Sequence, residues 1–175
     1  RMVAGWNQIP FVKPLSKVEE TLAFLKVALA GERTDTGFKL ETAPSHGTPI
    51  VLAALRGKML SLAVNEADGA FTNFLPLGGL PKVTENVAAG GNGFELLCRF
   101  FCFPGEWDEY EGLARFMFSS YITVPVYANF FTWLGYGDEI AEMRSLWEQK
   151  DRAGAAAAAP RELIDASGVT LTEMP

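Results

Sequence analysis

Apolar residues recur at helical spacing in the first part of the chain. Ser16 and Glu19 have the spacing of a capping box, and Gly31 supplies a stop signal. Between these signals the apolar positions repeat every three or four residues, at Val18, Leu22, Leu25 and Leu29. The pattern predicts a helix of about 15 residues with one face buried.

Three apolar runs in the middle of the chain, each bounded by turn signals, predict buried strands. They cover residues 50–55, 70–75 and 94–103. A helical pattern follows each run, at residues 59–67, 82–89 and 107–121. Repeated strand–helix units predict an α/β fold with parallel strands joined by right-handed crossovers, in either an open sheet or a (β/α)8 barrel.

Helical signals occupy the last third of the sequence. Pro125 suits the first turn of a helix, Gly135 a helix end, and Asp138 the N-cap of the next helix. Pro160 and Gly168 bracket one more short helix, and we interpret residues 169–175 as part of a linker.

Composition and charge exclude several classes of partner. The 175 residues are 49% hydrophobic, as in one globular domain, and a net charge of −6 with dispersed basic residues argues against nucleic acid. Charge, Gly or Pro interrupts every apolar run before the roughly 20 residues that a membrane span needs. The N-terminus lacks a signal-peptide pattern, so we expect a cytoplasmic protein. Cys98 and Cys102 are expected to lie on one side of a strand, unbridged, as reduced core thiols.

Most familiar catalytic signatures are absent from the sequence. His46 is the single histidine, without a second imidazole or a cysteine nearby, so we predict no metal site and no catalytic triad. No G-x-G-x-x-G or Walker sequence occurs. The carboxylates at Asp108, Glu109 and Glu111 suggest a general acid, but a solvated helix start is the plainer interpretation.

Four stretches carry a resemblance to a known family. They are GWNQIPF at residues 5–11, PIVLAALRGKMLSLA at 49–63, EADGAFTNFLP at 66–76 and YITVPVYANFFTWLGYGDEIAEMRSLWEQKD at 121–151. In this order and spacing they resemble the luciferase-like monooxygenase family, in particular its branch that depends on the deazaflavin coenzyme F420. The resemblance covers almost the whole chain.

The resemblance implies a partial (β/α)8 barrel of the TIM type. The three predicted strands would be strands five to seven, and the helices of residues 124–150 would be the C-terminal helical excursion of the family. Residues 1–175 would then form a single domain that is a fragment of the barrel, with strands one to four and strand eight absent. A half-barrel of this kind could complete itself as a homodimer, which we keep as an alternative.

The turn after the first predicted strand is the leading cofactor site. Ala53 and Ala54 allow a close approach of backbone to a ligand, and the next helix offers free N–H groups to a phosphate. The resemblance implies that the cofactor phosphate is held by this turn, through Ala53, Ala54, Leu55, Arg56, Gly57 and Lys58. The family commonly has Gly directly after Ala-Ala-Leu, whereas here Arg56 comes first. The alternative is that both cations are merely solvated.

Four further residues are candidates for the same site. Asn73 ends the second predicted strand, where its amide could bond to the edge of a cofactor ring, or instead satisfy the next turn. Phe74, beside it, is assigned to the substrate pocket. Trp6 and Asn7, which follow the predicted fourth strand, are assigned to the same pocket, and the alternative for Trp6 is packing against the helix that begins at Ser16.

The reaction that the resemblance implies is hydride transfer between coenzyme F420 and an organic substrate. The alternative cofactor is FMN, used for monooxygenation with molecular oxygen. We assign no catalytic residue, because groups near the reactive ring would come from strands one to four. A rival hypothesis is a complete, non-enzymatic α/β module that binds a small ligand or a partner.

Overall fold

The computed structural model describes residues 5–171 of the chain. These residues form two compact units. The first contains the described residues up to Ala70 together with Ala89–Glu95, and the second contains Phe71–Ala88 and the described residues from Leu96 onward. The chain passes between the units three times, at residues 70–71, 88–89 and 95–96. We describe each unit by itself.

The first unit holds two helices and the start of a sheet. Helix α1 spans Pro14–Leu29, strand β1 spans Val51–Ala53 and helix α2 spans Gly57–Glu66. An ion pair of 2.7 Å between Lys26 Nζ and Glu66 Oε2 joins the two helices. Their buried apolar faces meet in a core formed by Leu22, Ala28, Ala54, Leu60, Leu62, Ala63 and Ala70.

Helix α1 is confirmed, but it does not begin as predicted. Its first residue is Pro14, after Lys13 in a left-handed conformation, and no side chain caps its N-terminus. The Ser16–Glu19 capping box is therefore wrong, because Ser16 already lies inside the first turn. Proline is favoured in a first turn, where a missing N–H costs nothing.

Strands β2 (Gly69–Asn73) and β3 (Glu95–Arg99) follow β1 in a three-stranded sheet with the order β1-β2-β3. Two hydrogen bonds lie at the two ends of β2 and β3. Where the strands start, Glu95 N donates to Asp68 O, and where they end, Phe74 N donates to Arg99 O. Because residue numbers rise together along both strands, β2 and β3 run parallel. Helix α3 (Leu80–Val87) lies between them in the chain, after a 3-10 turn at Leu77–Gly79. The alternation of strands and helices is confirmed.

The second unit is mostly helical. After strand β4 (Phe101–Pro104) come five helices, in chain order α4 Trp107–Ile122, α5 Pro125–Leu134, α6 Ala141–Glu148, α7 Arg152–Ala157 and α8 Arg161–Ala166. Fully buried side chains fill its core, including Phe118, Ile122, Phe130, Phe131, Ile140, Met143 and Ile164. Pro125 and Gly135 begin and end α5 as predicted, Gly135 with a φ of 111°. Asp138 is not an N-cap, since it lies in a turn and α6 follows Ile140.

Two predicted segments differ from the structure. The strand predicted at residues 94–103 is broken at Phe100 into β3 and β4. Strand β4 pairs instead with strand β5 (Gly168–Leu171), in parallel register with Phe101 opposite Gly168. The linker prediction for residues 169–175 is therefore wrong for residues 169–171, and its remaining residues lie outside the described part of the chain.

The fold is thus a mixed α/β structure with small parallel sheets and covering helices. The partial barrel and the single domain over residues 1–175 stay predictions. No described helix is long and apolar enough to cross a membrane. Both cysteines are free, as predicted, but Cys102 is exposed, so the prediction of a core thiol is wrong for it.

Candidate functional site

The turn between β1 and α2, in the first unit, contains the six consecutive residues that are predicted to hold the cofactor phosphate. Strand β1 ends at Ala53, which is exposed, while Ala54 is buried in the core and Leu55 is half-buried. Arg56 is fully extended, and Gly57 then has a φ of 55° as α2 begins. The extended Arg56 and the left-handed Gly57 turn the chain sharply from strand into helix.

The first N–H groups of α2 are available to a ligand. The Arg56 side chain makes no hydrogen bond that would cap the helix. The first N–H groups of any helix lack partners within it, and they carry the positive end of the helix dipole. Arg56 and Lys58 are exposed, and neither forms an ion pair with another described residue. Two uncompensated cations beside uncapped N–H groups favour an anion such as a phosphate.

Asn73 lies in the second unit, at the end of β2, and its amide is held by one partner. Asn73 Nδ2 donates to Tyr127 Oη at 2.8 Å. Asn73 Oδ1 is buried and has no hydrogen-bond partner among the described residues. The alternative in which Asn73 satisfies the next turn is wrong, because its hydrogen bond runs to helix α5. A buried acceptor without a partner costs free energy, so Asn73 Oδ1 is held there by the packing around it.

Phe74 anchors an aromatic cluster beside Asn73. Its ring is fully buried and stacks on Phe101 at 4.3 Å, with Tyr121 at 4.8 Å and Tyr127 at 5.5 Å between ring centroids. The Arg99 guanidinium lies over the Phe74 ring at 5.5 Å. The backbone of Phe74 has a φ of 54°, which non-glycine residues rarely adopt. Phe74 thus supports the cluster, and its place in a substrate pocket stays a prediction.

Trp6 and Asn7 are exposed in the first unit. Trp6 is 72% exposed, so the alternative in which it packs against helix α1 is wrong. Gln8 N donates to Gly5 O at 3.1 Å and closes the turn that presents both residues. Their assignment to a substrate pocket stays a prediction.

The structure thus brings the predicted residues together in two groups. Ala53, Ala54, Leu55, Arg56, Gly57 and Lys58 form one continuous turn in the first unit, which also contains Trp6 and Asn7. Asn73 and Phe74 belong to the second unit. The sequence did not point to Tyr127 or Arg99, because neither is near Asn73 along the chain and no local motif marks them.

Two of the acidic residues after β4, Glu109 and Glu111, have structural partners. Glu109 accepts a hydrogen bond of 3.2 Å from Glu106 N at the start of α4. The hydrogen bond from Arg115, 2.7 Å from Nε to Oε1, lowers the pKa of Glu111. A lowered pKa disfavours Glu111 as a general acid, and the solvated helix start stays the plainer interpretation of the cluster. No group of His, Cys, Asp and Glu within residues 5–171 could hold a metal ion.

Comparison with known proteins identifies the family. No curated protein matches the chain. The family model described as luciferase-like monooxygenase matches residues 1–172. Members of this family are oxidoreductases that use flavin or F420 cofactors, in TIM-barrel-like folds. Because the match spans nearly the whole sequence, the chain belongs to the luciferase-like monooxygenase family.

Proposed function

We propose that this chain is the phosphate-holding part of an F420-dependent oxidoreductase, which transfers a hydride between the cofactor and a small organic substrate. The observation that carries the proposal is the β1–α2 turn. It combines uncapped helix N–H groups, a left-handed Gly57 and the cations Arg56 and Lys58, which have no ion-pair partner within residues 5–171. F420 and FMN both carry a phosphate group that such a turn can bind.

Each residue of the turn would have its own role in binding the cofactor phosphate. Ala53 and Ala54 leave space for the backbone to approach the phosphate, and Leu55 fixes the turn through its half-buried side chain. Arg56 and Lys58 supply charge, and the N–H groups from Gly57 onward supply directed hydrogen bonds. Holding the phosphate fixes the position of the attached ring, and orientation is a large part of what a protein gives a cofactor enzyme.

Asn73, in the second unit, stays a proposed cofactor residue through its side-chain amide. An amide has a donor and an acceptor, the kinds of group that bond to the pyrimidine edge of flavin and deazaflavin rings. Trp6 and Asn7 in the first unit, and separately Phe74 in the second unit, are proposed as residues that contact the substrate. When bound, the cofactor supplies the hydride chemistry, while the chain binds it, orients it and excludes water.

One observation favours a second candidate, an FMN-dependent monooxygenase that uses molecular oxygen. The description of the matching family, luciferase-like monooxygenase, names monooxygenation as its reaction. The same turn and the same amide serve FMN, so the two candidates differ in cofactor and not in these residues.

Cofactor titration tests the proposal and separates the candidates. The protein from the complete coding sequence is titrated with F420 and with FMN, following the fluorescence of each. We expect micromolar or tighter binding of F420 and at least about tenfold weaker binding of FMN. The reverse order would replace F420 by FMN, and binding of neither would contradict the proposal and leave the non-enzymatic module.

The double variant Arg56→Ala/Lys58→Ala tests the turn. Since two charge-assisted contacts are removed, we expect the cofactor Kd to rise at least about tenfold and to depend less on salt. Lys39→Ala removes an exposed lysine of the same unit and is the control, with Kd unchanged. Equal behaviour of the two variants would show that Arg56 and Lys58 are merely solvated.

A further inference from the structure

Arg99 ends strand β3, and one hydrogen bond gives its neighbour on strand β2. Arg99 O accepts from Phe74 N at 3.0 Å. In a parallel pair of strands, a carbonyl accepts from the residue that follows its opposite neighbour, so Arg99 lies opposite Asn73. Two residues earlier along both strands, Leu97 lies opposite Phe71. These four residues all belong to the second unit.

Phe71, Leu97 and Arg99 share the exposed face of this strand pair. Side chains alternate between the two faces of a strand. The residues between them point the other way, because Thr72 is fully buried and its Oγ1 lies 3.3 Å from the sulfur of Cys98. Phe71 is 37% exposed, Leu97 is 43% exposed, and Arg99 is exposed as well. Within the second unit this face is therefore apolar, with a cation at its C-terminal end.

The charge of Arg99 is not neutralised by a neighbour. No carboxylate within residues 5–171 forms an ion pair with it. Its guanidinium lies over the ring of Phe74, 5.5 Å from the centroid, and that ring is fully buried. Stacking uses the flat face of a guanidinium, whereas its N–H groups lie in the plane and can still donate. Arg99 thus offers a fork of donors that rests on a fixed ring.

This arrangement has the chemistry of a site for an anion with an apolar body. The planar N–H groups of a guanidinium match the two oxygens of a carboxylate. Leu97 lies two residues before Arg99, roughly 6 to 7 Å along the strand, so an apolar group attached to the carboxylate can reach it. Ligands of parallel α/β sheets bind at the carboxyl ends of the strands, where Arg99 lies.

We infer that Arg99 is a specificity-determining residue, which binds the carboxylate of an anionic organic substrate whose apolar part lies over Leu97 and Phe71. The inference rests on the proposed function, and it adds the chemical class of the substrate and a residue that selects it. Arg99 would hold the substrate and would take no part in the transfer of the hydride.

The first test compares two probes that differ in charge and hardly in shape. They are hydrocinnamate, a carboxylate on a short phenylalkyl body, and hydrocinnamamide, its neutral counterpart. Calorimetric titration of the protein from the complete coding sequence, without cofactor, makes the result independent of the β1–α2 turn. We expect the carboxylate to bind at least about tenfold more tightly. Equal binding of the two probes, or binding of neither, would overturn the inference.

Three variants assign the preference for the carboxylate to Arg99. We expect Arg99→Gln to bind both probes with the same Kd, because the charge is lost. Arg99→Lys should keep a preference of only a few fold, since an ammonium is a point charge without the fork. Lys150→Gln removes another exposed cation of the second unit and should keep the full preference. An undiminished preference in Arg99→Gln would overturn the inference.

Leu97→Ser tests the apolar half of the site. We expect it to weaken both probes by a similar factor, about threefold to tenfold, and to leave the preference for the carboxylate intact. Leu113→Ser is the matched control, because Leu113 is an exposed leucine on α4 in the same unit, and it should change neither affinity. Equal affinities in Leu97→Ser and the wild type would show that the apolar part lies elsewhere and would overturn the inference.

Failure of the inference is distinguishable from failure of the proposed function. If F420 or FMN binds while no preference for hydrocinnamate depends on Arg99, the inference is overturned and the proposed function stands. If neither cofactor binds while the preference depends on Arg99, the proposed function is overturned, and Arg99 belongs to the ligand site of a non-enzymatic module.

Discussion

Phe74 holds a backbone conformation that costs free energy. A left-handed φ in a residue with a Cβ costs roughly 1 to 2 kcal/mol, and the surrounding contacts must offset it. The ring of Phe74 is fully buried against Phe101, and its N–H donates to Arg99 O at 3.0 Å. This residue follows Asn73 directly, so the chain turns at the end of β2.

Gly57 is the second residue whose backbone conformation matters. A Cβ at this position would meet no atom within 4 Å, yet the φ of 55° disfavours any side chain. We expect Gly57→Ala to lower the free energy of unfolding by about 1 kcal/mol, and to weaken cofactor binding because the first turn of α2 must shift. Urea unfolding and cofactor titration measure the two effects.

Gly112→Ala is the matched control. Gly112 lies inside α4 with open space around its Cβ and without a left-handed φ. Alanine there should stabilise the protein by roughly 0.5 to 1 kcal/mol and leave cofactor affinity unchanged. If Gly57→Ala were equally stabilising, the left-handed turn would not be a requirement of the site.

The ion pair of Glu111 and Arg115 makes the stability of the protein depend on pH. The pKa of Glu111 is lower in the folded protein than in the unfolded chain, chiefly through the hydrogen bond from Arg115. Its contribution to stability is therefore present above the unfolded carboxyl pKa of about 4.3, and is lost as the pH falls through the lower folded value.

Glu111→Gln isolates that contribution. We expect the variant to be slightly less stable than the wild type near neutral pH, and the difference to vanish in strong acid. Urea unfolding across the acid range measures it, and the effect should be small because the pair is partly exposed to solvent. A difference that stayed constant with pH would assign the effect to packing instead of charge.

At the scale of elements, the break between β3 and β4 shows what a hydrophobic pattern misses. Residues 94–103 are apolar almost throughout, so neither a face nor an interruption can be detected in them. In the structure the exposed positions are Glu95, Leu97 and Arg99 before Phe100, and Cys102 after it, which shifts the exposed face by one residue. Which face a strand presents depends on its partners, and the partner of β4 is distant in sequence.

The same break gives the two cysteines different environments. Cys98 is half-buried, with Thr72 Oγ1 at 3.3 Å from its sulfur, while Cys102 is exposed. We expect iodoacetamide to label Cys102 several times faster than Cys98, because access governs the rate when thiol chemistry is similar. Peptide mass spectrometry after timed labelling measures both rates. Cys102→Ser should abolish the fast phase, and a fast phase that survives it would contradict the assigned exposures.

One part of the candidate site could be predicted from neighbouring residues in the sequence, and another part depends on contacts between residues that are distant in the sequence. The β1–α2 turn could be predicted because its small residues, cations and glycine are consecutive, and the helix after them has its own pattern. Tyr127 could not, because its contact with Asn73 depends on how α5 packs beside β2. The strand–helix order was predictable from local pattern, whereas strand β5 was not, since a short segment without strong alternation depends on β4 for its pairing.

On the whole-molecule scale, the first unit carries a large apolar groove. It has a volume of about 460 Å3 and lies between the segment Ile9–Val12, one face of α1 and strand β1. Ile9, Phe11 and Val12 are each more than half exposed along it. Apolar surface of this extent in a single place is typical of interaction surfaces and of ligand-binding grooves.

We predict that residues 1–175 alone behave differently from the protein made by the complete coding sequence. The isolated chain should bind an apolar dye such as ANS strongly and self-associate, while the complete protein should do neither. The mass of the complete protein should also lie well above 19.1 kDa. A complete protein of 19.1 kDa would contradict the barrel fragment and favour either a dimer of half-barrels or a binding module.

During synthesis, strand β4 is made long before strand β5, with which it pairs. Phe101 pairs with Gly168, and helices α4 to α8 all lie between them in the chain. A ribosome that releases the chain from the N-terminus exposes the apolar edge of β4 while five helices are still being made. Folding of the second unit should therefore end with a late, slow step, the pairing of β4 with β5. A translational pause before residue 168 would prolong the interval in which β4 can pair with a neighbouring nascent chain.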